Sequence, residues 1–210
     1  MMKFYDCQPA PSPRRVRIFL KEKGIEIPTV QIDLGNKEQL GDAFKAINPD
    51  CTVPVLKLED GTCLTEILAI CHYIEVLHPE PCLLGRDAKE QALVLMWNAK
   101  IEQLGLFALA EMFRNKTKGM SSRALTGPID FEQIPELVER GRVRAEAFMA
   151  RLNEHLSSSD FIAGDQFMLA DITALVMIDF AKWSKVMIQD DWLHLQRWYD
   201  EVCVRPSAGA

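Results

Sequence analysis

The pattern of apolar residues changes near residue 80, and this change restricts the chain to a two-part architecture. Before it, short strand-like and helix-like segments alternate, and after it every apolar pattern is helical. The stretch HPEPCLLGRD at 78–87 contains two prolines and one glycine, which is typical of a linker. We therefore predict an N-terminal domain over residues 1–78, a linker over 79–88 and a C-terminal domain over 89–210.

The N-terminal part predicts a small α/β domain. KFYDC has a brief strand pattern, and residues 13–23 carry apolar side chains at helical spacing until Gly24 ends the helix. A second strand, a second helix, a hairpin around Asp60-Gly61 and a third helix follow at 27–33, 38–47, 53–65 and 66–77. This β-α-β-α-β-β-α order is typical of helices packed on a small mixed sheet.

The C-terminal part predicts only helices and therefore an all-α helical bundle. The segment at 170–183 is apolar on nearly every side, so we expect it to be the central buried helix. Asp171 lies at its start, where free backbone N–H groups can satisfy a carboxylate. The four predicted helices span 88–115, 133–156, 168–187 and 190–203.

Composition and charge narrow the function classes. The net charge is −6 and no basic run alternates with aromatic residues, which argues against a nucleic-acid partner. The six cysteines form no C-x-x-C pair and no metal-ligand spacing, so we expect free thiols and no metal. The chain has no signal-peptide core and no run of about 18 uncharged apolar residues. We therefore expect a cytoplasmic protein without a membrane partner.

The stretch QPAPSPRR predicts the start of the first helix. Ser12 followed by Pro13 is the usual pairing of an N-cap with the first helical residue. The same geometry would direct free N–H groups and the positive end of the helix dipole at an anion, such as a thiolate, beside Ser12. Arg14, Arg15 and Arg17 then form either a solvated basic face or an electropositive rim for an acidic ligand.

Two further positions are candidates for binding. Val53-Pro54 lies inside a strand pattern, where proline is confined to an edge or a bulge. If that bond is cis, the turn would present the N–H and C=O of Val53 to an extended, peptide-like ligand. Glu66 opens the third helix, where its carboxylate either stabilises the helix end or receives the ammonium group of a ligand.

Two long stretches resemble the cytosolic glutathione transferase family. They are FKAINPDCTVPVLKLEDGTCLTEILAICHYIEVLHP at 44–79 and FIAGDQFMLADITAL at 161–175, and the likeness extends over essentially the whole chain. The resemblance implies a thioredoxin-like N-terminal domain that binds glutathione and a helical C-terminal domain that binds an electrophile. It also implies a homodimer and a role in detoxification.

The resemblance also assigns roles in glutathione binding. It identifies Pro54 as the cis-proline and Val53 as the residue that pairs with the cysteinyl part of glutathione. Glu66 would hold the γ-glutamyl end, where the backbone N–H of Ile67 is a second contact. Gln39 matches a polar position near the glycyl end.

Ser12 lies where serine-type family members place the residue that activates the thiol. Its hydroxyl would donate a hydrogen bond that lowers the thiol pKa. Ala10 occupies the position five residues before Arg15, where the active residue of serine-type and cysteine-type members often stands. Tyr5, Cys7 or backbone N–H groups alone are therefore alternative activators.

Two other positions depart from the family pattern. Ile67 replaces the serine that usually follows the acidic residue, which removes one hydroxyl contact to the γ-glutamyl carboxylate. Met168 replaces the serine or threonine that usually caps the central helix, so we expect Asp171 to lack its usual partner in a capping box.

The predicted function is that of a glutathione transferase whose bound thiolate attacks a small apolar electrophile. One alternative is a non-catalytic interaction or regulatory module of the same fold. The other is a glutathione-dependent thiol-disulfide reductase that uses Cys7. The electrophile site is expected around residues 100–120, where five apolar side chains form either its wall or part of the core: Leu106, Phe107, Leu109, Met112 and Phe113.

Overall fold

The structure is a computed structural model that describes residues 1–210, and it divides into two compact units. The first contains residues 1–81 together with 126–130 and 210, and the second contains 82–125 and 131–209. The division after Pro81 lies inside the linker predicted over 79–88.

The first unit contains a four-stranded mixed sheet. In spatial order the strands are β2-β1-β3-β4; β1 is parallel to β2 and antiparallel to β3, and β3 is antiparallel to β4. The predicted order of strands and helices is confirmed. The strands are β1 (Lys3–Asp6), β2 (Thr29–Gln31), β3 (Val55–Lys57) and β4 (Cys63–Leu64).

Three α-helices accompany this sheet: α1 (Pro11–Glu22), α2 (Asp42–Lys45) and α3 (Ile67–Leu77). Helices α1 and α3 pack against each other through apolar stripes. The helix predicted over 38–47 is interrupted, because Gly41 is extended (φ −75°, ψ 155°) and separates a 3-10 turn, Glu38–Leu40, from α2.

The strand directions bring four chain segments to one edge of the sheet. Since β1 and β4 both run antiparallel to β3, the chain leaves β1 and β4 at the edge where it enters β3. Because β2 is parallel to β1, the chain leaves β2 at this edge as well. The four segments are residues 7–10, 32–41, 53–54 and 65–66.

The second unit is helical, as predicted. Helix α7 is buried along almost its entire length and is the central helix. The helices are α4 (Ala88–Lys100), α5 (Phe107–Lys116), α6 (Glu136–His155), α7 (Leu169–Trp183) and α8 (Leu193–Cys203), with 3-10 turns at Lys118–Met120 and Pro206–Gly209.

Helices α4 and α5 are joined by a π-helical segment, Ile101–Leu106, which the sequence pattern did not predict. Gly105 packs so closely on α7 that a Cβ at this position would lie 2.1 Å from Sδ of Met177. By length and composition the helix at 88–116 could cross a membrane, with a mean hydropathy of 1.2 in its most apolar window. Core helices of soluble proteins pass the same test, and 44% of that window is buried in the protein.

The side chain of Met168 makes no capping bond at the start of α7, as its lack of a hydroxyl predicts, but Asp171 still contributes its own half of a capping box. The N–H of Asp171 donates to the backbone carbonyl of Met168 at 2.9 Å, and Oδ2 of Asp171 accepts the N–H of Met168 at 3.0 Å. Burial raises the pKa of Asp171 to about 6, although N–H donors oppose the shift.

Candidate functional site

Helix α1 begins two residues earlier than predicted. Ala10 is the N-cap, Pro11 is the first helical residue and no side chain caps the helix, so the assignment of Ser12 as N-cap and Pro13 as first residue was wrong. The reason is local: the N–H of Ala10 donates to the carbonyl of Cys7 at 2.9 Å, and this turn places Pro11 where a missing N–H costs nothing.

Because of this shift, Ser12 provides most of the free hydrogen-bond donors at the start of α1. Pro11 and Pro13 have no N–H, and the N–H of Arg14 is already bonded to the carbonyl of Ala10. Half-buried Ser12 therefore presents a backbone N–H without a backbone acceptor and a hydroxyl that is not used as a cap. The first turn contains no acidic residue, so nothing offsets the positive helix end.

The Val53–Pro54 bond is cis, and it precedes β3 at the same edge of the sheet. Val53 is half-buried against the apolar cluster of Tyr5, Phe44 and Val55. Neither its N–H nor its C=O takes part in a backbone–backbone hydrogen bond. Both groups are thus available to an extended ligand that lies along this edge.

Glu66 is the N-cap of α3, one position before the first turn in which it was predicted. Its side chain is exposed and makes no capping bond, while Ile67 is buried. The first backbone bond of this helix start runs from Ile70 N–H to the carbonyl of Glu66, so the N–H groups of Ile67 and Leu68 have no intrahelical acceptor. A free carboxylate beside free N–H groups is suited to an ammonium and a carboxylate on one carbon, the end group of an amino acid.

Gln39 lies in the 3-10 turn between β2 and α2. Its residue is half-buried, and its Oε1 atom is buried without a hydrogen-bond partner. A buried acceptor without a donor is costly, which favours a ligand N–H at this position.

Tyr5 and Cys7, the two alternative activators, are both directed inward. Tyr5 packs edge-on against Phe44 with ring centroids 6.3 Å apart. Cys7 is buried, and this burial raises the pKa of its thiol, with opposing contributions from the backbone of Leu34 and Ala10. A thiol with a raised pKa is a poor nucleophile at neutral pH, which disfavours disulfide exchange at Cys7.

The comparisons with known proteins match both units. Residues 10–77 match the family model "Glutathione S-transferase, N-terminal domain", and residues 135–201 match "Glutathione S-transferase, C-terminal domain". Glutathione S-transferase 2 of Saccharomyces cerevisiae is 34% identical over 209 residues, which cover 98% of this chain and 87% of the relative.

The chain belongs to the glutathione S-transferase family.

Two solved structures extend the likeness to three dimensions. A glutathione S-transferase domain-containing protein from Marinobacter aquaeolei VT8 has a TM-score of 0.90 and 38% identity, with 98% of each chain covered. Gtt2 from Saccharomyces cerevisiae also has a TM-score of 0.90, with 33% identity, covering 99% of this chain and 98% of that one. The predicted fold and the predicted activity are confirmed: the protein is a glutathione transferase, and glutathione is its co-substrate.

The transferase places its predicted glutathione residues on, or directly after, the segments that share one edge of the sheet. Ser12 follows the exit from β1, Val53 and Pro54 precede β3, Glu66 and Ile67 follow β4, and Gln39 lies beyond β2. Their individual roles remain predictions.

The prediction for Arg17 was wrong, and its partners were not predicted. Arg17 does not belong to a solvated face or a rim, because its side chain is 13% exposed and Nη1 contacts Oδ1 of buried Asp6 at 2.5 Å. Gln8 and Gln31 belong to the same group of contacts. No local pattern marks them, since the partners are up to 25 residues apart.

Proposed function

We propose that this glutathione transferase activates the thiol of glutathione at the start of α1 and directs the thiolate at a small apolar electrophile. The observation that carries the proposal is Ser12, which combines a free N–H and an unused hydroxyl at the positive end of a helix. The thiol releases its proton to solvent water, and the sulfur then forms a bond to the electrophilic carbon as the leaving group departs with the bonding electron pair. Ser12 donates hydrogen bonds to the sulfur and is not itself the nucleophile.

The size of the required effect is modest. A free thiol of pKa about 8.5 is only a few per cent ionised at neutral pH. Lowering the pKa by about two units makes the thiolate the major form and corresponds to about 2.7 kcal/mol of preferential stabilisation. A helix start and one or two charge-assisted hydrogen bonds supply energies of this order.

The rest of glutathione would be held by groups without partners in the protein. The carboxylate of Glu66 receives the γ-glutamyl ammonium, and the N–H groups of Ile67 and Leu68 donate to the γ-glutamyl carboxylate. Val53 pairs with the cysteinyl backbone as an added strand would. Oε1 of Gln39 accepts an N–H near the glycyl end.

An aromatic wall in the second unit suits an apolar electrophile. Leu106, Leu109 and Met112 are buried core residues, whereas Phe107 is exposed and Phe113 is half-buried. The ring of Phe113 packs edge-on against Phe180 and Trp183 with centroids 5.6 and 5.8 Å apart, and Trp183 is 52% exposed. Aromatic faces of this kind favour an aromatic electrophile.

We also propose that the enzyme is a homodimer that serves detoxification in the cytoplasm. In the second unit, α4 exposes Leu95 and Met96, which are apolar surface suited to a second copy, and in the first unit α3 exposes Val76 and Leu77. Met96→Glu is expected to give a monomer in sedimentation velocity, while Met187→Glu, at another exposed methionine, leaves the dimer intact. A wild-type monomer at micromolar concentration would contradict the dimer.

The experiment that tests the activity compares wild type with Ser12→Ala. Glutathione binding is measured by calorimetry, and turnover is measured with an activated aryl halide. Ser158→Ala, at an exposed serine, is the control. We expect both variants to bind glutathione and only Ser12→Ala to turn over slowly. An unchanged rate would show that the hydroxyl is not needed, and wild type that does not bind glutathione would favour an interaction module. Disulfide reductase activity that Cys7→Ser abolishes would instead support exchange chemistry.

A further inference from the structure

Four hydrogen bonds form a closed ring through the backbone of Gln8, between β1 and α1. Oδ1 of Asp6 accepts from Nη1 of Arg17 at 2.5 Å, and Nη2 of Arg17 donates to the carbonyl oxygen of Gln8 at 2.8 Å. The N–H of Gln8 donates to Oε1 of Gln31 at 2.9 Å, and Nε2 of Gln31 donates to Oδ2 of Asp6 at 2.6 Å. Both backbone groups of Gln8 are therefore held.

The ring is built from three elements at the same edge of the sheet. Asp6 ends β1 and Gln31 ends β2, and the two residues are register partners in the parallel pair. Arg17 comes from the second turn of α1, and its two terminal nitrogens bridge Asp6 and Gln8. The planar guanidinium bonds the two acceptors through two separate nitrogens held in a fixed geometry.

The position of Gln8 links the ring to the reaction. Gln8 lies two residues before the N-cap Ala10 and four before Ser12. The turn from the Cys7 carbonyl to the Ala10 N–H lies around it. With both groups of the Gln8 peptide held and this turn closed, the start of α1 cannot shift against the sheet without breaking the ring.

We propose that Asp6, Arg17 and Gln31 are positioning residues for thiol activation. By fixing the backbone of Gln8, they hold the N–H and hydroxyl of Ser12 at hydrogen-bond distance from the glutathione sulfur. Such bonds weaken steeply with misalignment, so a small displacement of the helix start raises the thiol pKa. None of the three residues is among those proposed to bind glutathione. The inference rests on the proposed role of the start of α1.

Two substitutions open the ring while keeping most of the fold. Gln31→Met preserves the length of an exposed side chain and removes both Gln31 bonds, while the contact between Asp6 and Arg17 stays. Arg17→Lys keeps a cation for Asp6 but replaces the two nitrogens that separately bond Asp6 and the Gln8 carbonyl with a single nitrogen, so the two bonds cannot keep their present geometry. Gln189→Met, at an exposed glutamine outside the ring, is the matched control.

The readout is the pH titration of the thiolate absorbance of bound glutathione, with kcat and KM measured alongside. We expect both ring variants to raise the bound thiol pKa and to lower kcat at neutral pH by about 3- to 10-fold, the equivalent of one hydrogen bond. The KM for glutathione should change by less than about 2-fold, because Val53 and Glu66 are untouched. Gln189→Met should behave as wild type.

The outcomes separate the inference from the proposed function. A lower Tm with an unchanged thiol pKa in both variants would show that the ring only stabilises the fold, and would overturn the inference alone. If the thiol bound to wild type titrates like free glutathione, activation at α1 is itself wrong, and both proposals fail.

Discussion

Trp198 donates its indole N–H to Oδ1 of Asp171 at 2.9 Å and so ties α8 to the start of α7. The same oxygen accepts the N–H of Ile162 at 2.9 Å, and Oδ2 accepts the N–H of Met168. Both Asp171 and Trp198 are completely buried. One carboxylate thus satisfies three donors from three parts of the second unit.

Asp171→Asn should destabilise the protein although it changes only one atom of the side chain. The amide keeps one oxygen but turns an NH2 group toward either the Met168 N–H or the other two donors, so at least one buried donor loses its acceptor. We expect the free energy of unfolding in urea to fall by about 2 kcal/mol. Equal stability of Asp171→Asn and wild type would contradict this account.

Substitution of Lys23 should also destabilise the protein strongly, because its ammonium is buried between the ends of α1 and α3. Nζ donates to the carbonyls of His78 and Pro81 at 2.8 and 2.5 Å and lies 2.6 Å from Oε2 of Glu75. Lys23→Met would leave the largely buried carboxylate of Glu75 without its cation. We expect a loss of about 3 kcal/mol in chemical denaturation.

The control for Lys23 is Lys21→Met, an exposed lysine on the same helix. Its effect should stay within about 0.5 kcal/mol. Because the loss in Lys23→Met includes the cost of a largely buried carboxylate that no longer faces the ammonium, adding Glu75→Gln should recover part of it. No recovery in the double variant would show that packing, and not the ion pair, sets the cost.

The order of strands and helices could be predicted from sequence because apolar periodicity is a local property. The start of α1 could not, since Pro11 and Pro13 both suit a first helical position and Ser12 suits an N-cap. The choice is made by the turn from Cys7 to Ala10, which periodicity does not encode.

In the candidate site, too, some features could be predicted from the sequence and others could not. The roles of Val53, Pro54 and Glu66 came from family motifs, and the structure adds that their segments share one sheet edge. The bonds of Gln31 and Lys23 join residues 23 to 58 positions apart. Such pairings depend on strand register and helix packing, so no short pattern indicates them.

Cys7 should react slowly with an alkylating agent in the folded enzyme. Burial raises its pKa above the ordinary value of a thiol, so the reactive thiolate is scarcer than in the unfolded chain at neutral pH. Raising the pH increases the thiolate fraction of Cys7. The alkylation rate of the folded enzyme should therefore still increase at a pH where the rate of the unfolded chain has become constant. Mass spectrometry of the labelled Cys7 peptide gives the rate, with urea-unfolded protein as the reference. Fast labelling of the native enzyme at neutral pH would restore the reductase alternative.

Glu66→Gln should weaken glutathione binding without impairing the chemical step. The substitution keeps the shape of the exposed side chain but removes the negative charge proposed to receive the γ-glutamyl ammonium. Loss of one charged partner at a ligand contact is worth about 1.5 to 3 kcal/mol, so the KM for glutathione should rise by about 10- to 100-fold. At saturating glutathione, kcat should change little, because the γ-glutamyl ammonium that Glu66 is proposed to receive is remote from the sulfur. Glu26→Gln, at an exposed glutamate outside the site, should leave both constants unchanged. A fall in kcat with an unaltered KM would place Glu66 in the thiol-activating machinery and contradict its assignment to the γ-glutamyl end.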